Sequence, residues 1–389
     1  MGAEHAAAFL GGILARRGSA DLDLTNLGDA AIDWPATIRQ ANDAYACPAL
    51  WTALREAGAA AAVPHDVRDY LGWLHAENAR CNTAIREQCA AIGMLLKPLG
   101  LSAVLLKGAA WLFEEGPAGE DRMMRDIDLL LDGNRMEIAH TALLRAGYFP
   151  SPTAPPEEGN IHGAPLVHPD GLVSVELHRE LTTRVRLLSG REVLADSSRI
   201  APGLRMPSTP HRIIHNVIHA QIINGDFAAG VVGFRDLLDL SRLAQLPAQP
   251  LDWHELAATA RRRGYFRELS GAVHKAARFT GLPLPEPFSS DPAGRRHAAR
   301  CAWQRRFPVV DRPLRRFGVV RRALVWERDA YALGLESDRS LGAHLKVNRR
   351  RAHRLAKAVR RVLQRLASSA RLSGERNHDA SIQHGDCET

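Results

Sequence analysis

The chain has 389 residues, of which 46% are hydrophobic and 24% charged, as expected for an ordinary soluble globular protein. Its cysteines are odd in number, scattered and without a CxxC pair, which argues against a disulfide framework or a zinc ribbon. The apolar piece at residues 6–15 is too short to span a bilayer and has no positive charge before it. We therefore predict a cytoplasmic protein without a transmembrane segment.

The net charge of +8 is distributed unevenly along the chain. Residues 295–371 hold 22 Arg and Lys against five Asp and Glu, so the remainder is mildly acidic. Such a region can bind nucleic acid, an acidic partner or a membrane surface, or it can be the solvated face of a helical bundle. The last of these is the interpretation we favour. Residues 373–389 are predicted to be a disordered tail.

Residues 1–100 are predicted to form a helical region. A long helix is expected to begin at Pro64 and to end at Pro98-Leu99-Gly100, with an apolar stripe that supports a sheet. Cys81 and Cys89 belong to this stripe, and we expect both to be buried as small hydrophobic side chains rather than to act as ligands or nucleophiles.

The most informative stretch begins with an apolar run at residues 104–106, which predicts a short buried strand. Lys107-Gly108 ends it, and a helix is expected over residues 109–115. A second strand is predicted over residues 126–132. Its period of two puts Asp126 and Asp128 on one face, above an apolar underside, where they could hold a hard divalent cation.

A third acidic residue lies in the alternating segment at residues 173–178. Glu176 and His178 share one face of this predicted strand, and the apolar residues share the other. If the strand lies beside the first acidic strand, Glu176 approaches Asp126 and Asp128. Three carboxylates on neighbouring strands suit two metal ions, roughly 3.5–4 Å apart, that promote in-line displacement at phosphorus.

These residues resemble the polymerase-beta-type nucleotidyltransferase superfamily. Within it, the order of motifs is similar to that of an uncharacterised bacterial nucleotidyltransferase family, and the resemblance is sharpest over residues 100–180. The motifs that carry it are Lys107-Gly108, Arg122, Asp126-Ile127-Asp128 and Val175-Glu176-Leu177-His178.

The resemblance implies that Asp126, Asp128 and Glu176 bind two Mg²⁺ ions, and that Glu176 also acts as general base on the acceptor. It further implies that nucleotide is bound by Lys107, Gly108, Arg122 and His178. For Lys107 and Arg122, an ion pair with the acidic cluster is the alternative. For His178, the alternative is that it orients Glu176.

The segments around this core are assigned from pattern. A helix is predicted over residues 135–146, followed by a Pro- and Gly-rich loop or hairpin over residues 150–169. That loop is either an active-site rim or a plain surface loop.

Residues 207–285 are predicted to return to helix. His211, His215 and His219 share one helical face, and we favour packing or hydrogen bonding over a place in the active site or a metal site. For the charged residues of the segment GFRDLLDL, including Asp239, an internal ion pair or a capping role is preferred over catalysis.

The predicted fold class is α+β, with a small mixed-sheet nucleotidyltransferase core flanked by N-terminal and C-terminal helical regions. The expected divisions are a helical region at 1–100, the core at 101–205, a packed helical region at 206–288, the basic region at 289–372 and the tail at 373–389. The predicted function is transfer of an NMP group from an NTP, for which ATP is favoured, to an unidentified small-molecule, peptide, protein or RNA acceptor. The alternatives are a non-catalytic nucleotide- or RNA-binding module and a toxin- or antitoxin-type nucleotidyltransferase.

Overall fold

The computed structural model describes residues 32–114, 118–152, 163–246, 251–306 and 340–353, together with the single positions 10, 13, 14, 161, 333, 335 and 338. The chain divides into one compact unit at Met1–Arg322 and a second at Ala323–Thr389. In the second unit, residues 341–353 are helical. Most of the predicted basic region and the whole predicted tail lie outside the described residues.

Within residues 32–102, the helices before the sheet are α1 (Trp34–Asp43), α2 (Cys47–Glu56) and α3 (His65–Leu96). The long helix α3 confirms the predicted one. Pro64 stands at its N-cap, and the chain leaves it through a short 3-10 turn, Lys97–Leu99, and Gly100 in the left-handed conformation at φ +65°. Its buried side chains include Ile85, Cys89, Ile92 and Leu96.

The prediction for Cys81 was wrong, because its side chain is exposed whereas Cys89 is buried. Eight residues advance an α-helix by two full turns and about 80° more, so the two cysteines do not share one face. Burial raises the pKa of Cys89 to about 12, so this thiol stays protonated and unreactive at neutral pH.

One mixed sheet lies at the centre of the first unit, with the strand order β3-β4-β5-β2-β1-β7-β6. β1 is antiparallel to β2 and parallel to β7, and β2 is parallel to β5. The strands are β1 (Ala103–Leu105), β2 (Asp126–Leu130), β3 (Phe149–Pro150), β4 (Leu166–Val167), β5 (Ser174–His178), β6 (Ser197–Ala201) and β7 (Leu204–Pro207). This arrangement confirms the predicted α+β class with a mixed sheet.

Short helices connect these strands: α4 (Lys107–Trp111), α5 (Ala118–Asp121), α6 (Met136–Arg145) and α7 (Gly190–Ala195). The helix α6 confirms the one predicted over residues 135–146. The predicted loop after it is bounded by β3 and β4, which pair antiparallel. Residues 153–160 and 162 of that loop lie outside the described part of the chain.

The two faces of the sheet belong to different hydrophobic clusters. Ile127, Leu129 and Val175 pack with α3 and α6 on one face. Leu130 and Val104 join the larger cluster built by the helices at either end of the unit. Because side chains alternate along a strand, Asp126 and Asp128 project on the same face as Leu130, towards that helical layer.

That layer consists mainly of helices that follow the sheet. They are α8 (Thr209–Val217), which continues as a π-helical turn at Ile218–Ile223, then α9 (Asp226–Ala229), α10 (Phe234–Ala244), α11 (Trp253–Arg263), α12 (Phe266–Thr280) and α13 (Pro292–Arg306). Among the described residues, no helix is both long and apolar enough to cross a membrane.

Two ion pairs fasten α10 to the segment that ends at Arg122. The guanidinium of Arg122 donates to both carboxylate oxygens of Asp239 at 2.9–3.0 Å. Arg242, one helical turn later, donates to Asp121 at 2.9 Å. The internal ion pair preferred for Asp239 from the sequence is confirmed, with Arg122 as its partner. The two pairs hold α10 beside the entrance to β2.

Candidate functional site

The first acidic strand brings two carboxylates to the centre of the sheet. Asp126 and Asp128 begin β2 and share its face, as predicted from the period of two. Asp128 is fully buried, whereas Asp126 is half-buried. A carboxylate as deeply buried as Asp128 needs charged or hydrogen-bonding partners, because desolvation disfavours its ionised form.

The second acidic strand supplies those partners. Asp128 and Glu176 are direct register partners across the parallel strands β2 and β5. His178 Nε2 lies 2.8 Å from Asp128 Oδ1 and 3.6 Å from Glu176 Oε2. Glu176 therefore approaches Asp128 as predicted, and His178 stands between the two carboxylates.

Lys107 completes the surroundings of Asp128, since its Nζ donates to Oδ1 at 2.8 Å. It begins α4 with φ +46°, a left-handed conformation that costs a non-glycine residue about 1–2 kcal/mol. This conformation turns the chain from β1 into α4, at the residue whose ammonium group contacts the carboxylate of Asp128. An ion pair with the acidic cluster was the alternative role predicted for Lys107, and this ion pair is present in the structure.

The charges around Asp128 shift its titration and that of its neighbours. Burial alone would raise the pKa of Asp128, but Lys107 and His178 outweigh burial and hold this pKa well below its usual range. Burial and the charge of Asp128 raise the pKa of Asp126, against the opposing charges of Lys107 and Arg235. The site thus combines a carboxylate that is firmly ionised with one that takes up a proton more readily.

His178 titrates differently from a buried, isolated histidine. Burial lowers the pKa of its imidazole, but hydrogen bonds to Asp128 and Glu176 outweigh burial and raise it above the ordinary value. The imidazolium form is therefore favoured as long as both carboxylates are ionised. A divalent cation would take over the same stabilising role for the carboxylates.

Gly108 and Arg122 are packed against each other next to this cluster. A Cβ at Gly108 would overlap the guanidinium of Arg122 and would lie 2.6 Å from Met124 Sδ, so any larger residue requires these side chains to shift. Arg122 itself is buried and bound to Asp239. The structure thus gives Gly108 a packing role and commits the guanidinium of Arg122 to an ion pair, while their predicted contacts to nucleotide stay predictions.

A cleft with about 600 Å³ of empty space, part of it open to solvent, lies next to the acidic cluster. Lys107 belongs to both, because its side chain lines the cleft while its ammonium group contacts Asp128. The polar side chains that line the cleft are Lys107, Arg122, His211, Arg212, His215, Asn216, His219, Arg235, Asp236 and Asp239.

The three histidines singled out from the sequence pack and form hydrogen bonds, as the favoured interpretation predicts. His211 Nδ1 lies 3.2 Å from Ser208 Oγ, and the rings of His215 and His219 pack edge to face. All three also line the cleft. Burial, followed by the charge of Lys107, lowers the pKa of His219 to about 3 and that of His215 well below its usual value. Both imidazoles are therefore neutral at physiological pH. They offer hydrogen bonds, but no charge, to a molecule in the cleft.

Among the described residues, the side chains suited to hold a metal ion are Asp128, Glu176 and His178, whose ligand atoms all lie within 4.8 Å of one another. Two carboxylates and an imidazole are an established donor set for divalent cations. Asp126 is two residues along the same strand face, outside this set. The predicted set of Asp126, Asp128 and Glu176 thus overlaps the observed cluster in two members, and His178 is the addition.

The sequence did not predict two features of the site, namely which residue pairs with Arg122 and the role of a buried amide on α3. The partnership of Arg122 with Asp239 joins residues that are 117 positions apart, and no local pattern connects them. Asn82 is buried on α3 and donates to the backbone oxygens of Gly119 and Arg122 at 2.6 and 3.0 Å. In the sequence, the position of Asn82 within the apolar stripe of α3 could have indicated that its amide is buried. A buried amide requires hydrogen-bond partners.

A family model described as an uncharacterised nucleotidyltransferase matches residues 30–281 of the chain. The matched segment contains β2, β5 and α10, and with them all the residues of the acidic cluster and the lining of the cleft. No curated protein matches the chain.

Proposed function

The chain belongs to this family of uncharacterised nucleotidyltransferases, and from that premise we propose that it transfers an NMP group from an NTP, with ATP favoured, to an acceptor hydroxyl. We place it in the polymerase-beta-type superfamily, as its motifs suggest. The observation that carries the proposal is the cluster of Asp128, Glu176 and His178, which lies with Lys107 at the edge of a cleft.

Asp126, Asp128 and Glu176 are the proposed ligands of two Mg²⁺ ions, and the donor chemistry of the cluster fits a divalent cation. When bound, such ions would offset the charge that develops on the transferring phosphorus and on the pyrophosphate. Asp128 is preorganised for this role, because its carboxylate stays ionised and is fixed by hydrogen bonds from Lys107 and His178.

The reaction is a displacement at the α-phosphorus of the NTP. An oxygen of the acceptor forms the new bond to phosphorus, the bond to the bridging oxygen breaks, and pyrophosphate leaves. Glu176 accepts the proton of the acceptor hydroxyl, since its carboxylate lies at the cluster and is 20% exposed. His178 holds Asp128 and Glu176 in place through its Nε2.

The remaining residues of the site position the nucleotide in this proposal. Lys107 lines the cleft and can exchange its contact with Asp128 for one with a phosphate oxygen. Gly108 allows the backbone of the turn to pass close to Arg122 and Met124. Arg122 contributes through its ion pair with Asp239, which holds α10 against the cleft. The acceptor class and a cytoplasmic location remain predictions from the sequence.

The proposal is tested by incubating the full chain and cell extract with NTPs labelled at the α-phosphorus, in the presence of Mg²⁺. We expect one NTP to be consumed, pyrophosphate to be released and an acceptor to be labelled. Asp128→Asn and Glu176→Gln should abolish all three. Asp170→Asn is the matched control, since this carboxylate is 93% exposed on a turn and should leave turnover unchanged.

Two results would contradict the proposal. The first is turnover that survives in both Asp128→Asn and Glu176→Gln. The second is salt-dependent RNA binding by a wild-type chain that consumes no NTP, which would favour the alternative of a non-catalytic RNA-binding module.

A further inference from the structure

Three of the four cationic side chains that line the cleft are already bound to a carboxylate. Lys107 contacts Asp128 at 2.8 Å, and Arg122 contacts Asp239 at 2.9 Å. Arg212 pairs with Glu114, and its guanidinium also lies 4.6 Å from the centre of the Trp111 ring. These guanidinium and ammonium groups have most of their charge compensated within the protein.

Arg235 is the fourth cation, and it is not committed in this way. It makes no hydrogen bond to any of the residues that the structure describes, although its Nε is buried. Its nearest carboxylate is that of Asp236, at 3.8 Å and so beyond hydrogen-bond distance. The side chain lines the cleft and is 29% exposed, so its fork of N–H donors can reach a bound molecule.

The guanidinium of Arg235 is nevertheless held in place. It lies 5.3 Å from the centre of the Tyr45 ring, and Arg125 lies 4.9 Å from the same ring. Tyr45 joins α1 to α2 with φ +53°, a conformation that few non-glycine residues adopt. An arginine stacked on an aromatic ring keeps its charge while it loses rotational freedom.

The backbone under Arg235 is fixed as well. It is the second residue of α10, the helix that the ion pairs of Asp239 and Arg242 fasten to the segment before β2. A cation on an anchored helix, supported by a ring and facing a cleft, is preorganised for an anion. Lys107 also lines the cleft, and its ammonium group contacts Asp128, so it connects that anion to the acidic cluster.

We propose that Arg235, supported by Tyr45, binds the polyphosphate of the nucleotide in the cleft, and that Tyr45 is its positioning residue. The inference rests on the proposed function for the identity of the anion. Bidentate contact between the planar guanidinium and phosphate oxygens is the chemistry to which this side chain is best suited. Arg122 lies within the recognised motifs, but its charge is compensated by Asp239 and its Nε donates to that carboxylate.

The test is calorimetric titration of the full chain with inorganic tripolyphosphate in the presence of Mg²⁺. Arg235→Gln is expected to weaken binding by roughly 10- to 100-fold, as the loss of charge-assisted hydrogen bonds predicts. Arg235→Lys should lie between Arg235→Gln and the wild type, because it keeps the charge and loses the fork. Arg125→Gln is the matched control, since Arg125 rests on the same ring but does not line the cleft, and it should change binding less than about threefold.

Tyr45 is tested by the same titration. Tyr45→Phe keeps the ring and should bind tripolyphosphate like the wild type, whereas Tyr45→Ala should weaken binding in the same direction as Arg235→Gln. A loss of affinity in both Tyr45 variants, or in neither, would exclude the positioning role. Urea midpoints of all variants establish that each is folded.

A non-hydrolysable NTP analogue should compete with tripolyphosphate for one site. If Arg235→Gln binds tripolyphosphate as tightly as Arg125→Gln does, the inference is overturned. It is also overturned if the analogue and tripolyphosphate bind together, because the anion site would then belong to another molecule. NTP consumption by the wild type is measured separately. If Arg235 does not bind the anion but NTP is consumed, the inference fails and the proposed function stands. If Arg235 binds tripolyphosphate but no NTP is consumed, the proposed function fails instead.

Discussion

Asp128 on β2 lies directly opposite Glu176 on β5, and the parallel register that pairs them continues through all five residues of each strand. The separation of the two carboxylates is therefore set by the sheet rather than by a loop. His178, two residues after Glu176, reaches back to Asp128 at 2.8 Å. A site built on paired strands is held more rigidly than one built on loops, which suits a metal centre.

The first prediction concerns His178. Replacing it with Asn removes an imidazole that contacts Asp128 and approaches Glu176. We expect the affinity for Mn²⁺, used as a spectroscopic substitute, to fall about 10- to 100-fold, the usual effect of losing a ligand or its support. The measurement is a titration of free Mn²⁺ followed by electron paramagnetic resonance.

The control for His178→Asn is His168→Asn, a histidine on the turn that leads into β5. It should leave the affinity unchanged. Unaltered Mn²⁺ binding in His178→Asn would show that His178 neither binds the ion nor supports its ligands.

The second prediction concerns the buried pair of Arg122 and Asp239. Asp239→Ala leaves the guanidinium buried without its counter-charge, and the free energy of unfolding should fall by about 3–5 kcal/mol. The double variant Arg122→Met/Asp239→Leu should recover much of this loss, because both charges are then absent. Urea denaturation measures all three proteins.

An exposed ion pair provides the comparison for Asp239→Ala. Glu255 and Arg262 are each 62% exposed, and Glu255→Ala should leave the urea midpoint almost unchanged because solvent screens such pairs. If Asp239→Ala behaved in the same way as Glu255→Ala, the pair would not be what fastens α10 to the segment before β2.

The third prediction concerns Gly108. Gly108→Ala places a methyl group 2.6 Å from Met124 Sδ and against Arg122, whose side chain cannot move away without breaking its ion pair. We expect a loss of about 1–3 kcal/mol in the free energy of unfolding, together with a loss of turnover. Gly163→Ala is the control, because a Cβ there would meet nothing within 4 Å. Equal urea midpoints for the two variants would contradict the packing role of Gly108.

The fourth prediction is a dependence of stability on pH that arises from buried histidines. Burial, assisted by the charge of Lys275, lowers the pKa of His297 to about 3 from an ordinary value of 6.5. Between these values the unfolded chain binds a proton that the folded protein does not. The free energy of unfolding therefore decreases as pH falls below about 6.5, by up to about 1.4 kcal/mol per pH unit for each such histidine.

The contribution of His297 is measured as a difference in slope. Urea midpoints of the wild type and of His297→Phe are compared from pH 7.5 to pH 5, with Phe chosen because His297 stacks on Phe227. Loss of packing acts at every pH and cancels in the slope. A variant with the slope of the wild type would show that His297 titrates normally in the folded protein.

Much of the site could be predicted because its signals are local. The alternation around Asp126, Asp128 and Glu176 is a property of single strands, and it places these carboxylates on one face in any sheet that buries the apolar face. The long helix α3 was equally readable from its apolar stripe and its Pro and Gly boundaries. The exposed Cys81 shows the limit, since an eight-residue spacing was treated as one face.

What could not be predicted depends on tertiary contacts. Nothing near Arg122 in the sequence indicates that Asp239 neutralises it. Nor does the sequence indicate that Arg235, outside the motif, makes no hydrogen bond to the residues that the structure describes. The cleft histidines were likewise ambiguous. Spacing placed His211, His215 and His219 on one face, but only the packing of α8 against the cleft decided what that face meets.

Lys107 already supplies Asp128 with a cation, at 2.8 Å and from within the chain. In the metal-free protein, this internal counter-ion reduces the repulsion between the carboxylates on β2 and β5. Chelators should therefore stop turnover without unfolding the chain, and a metal ion that binds Asp128 Oδ1 has to displace the ammonium group of Lys107.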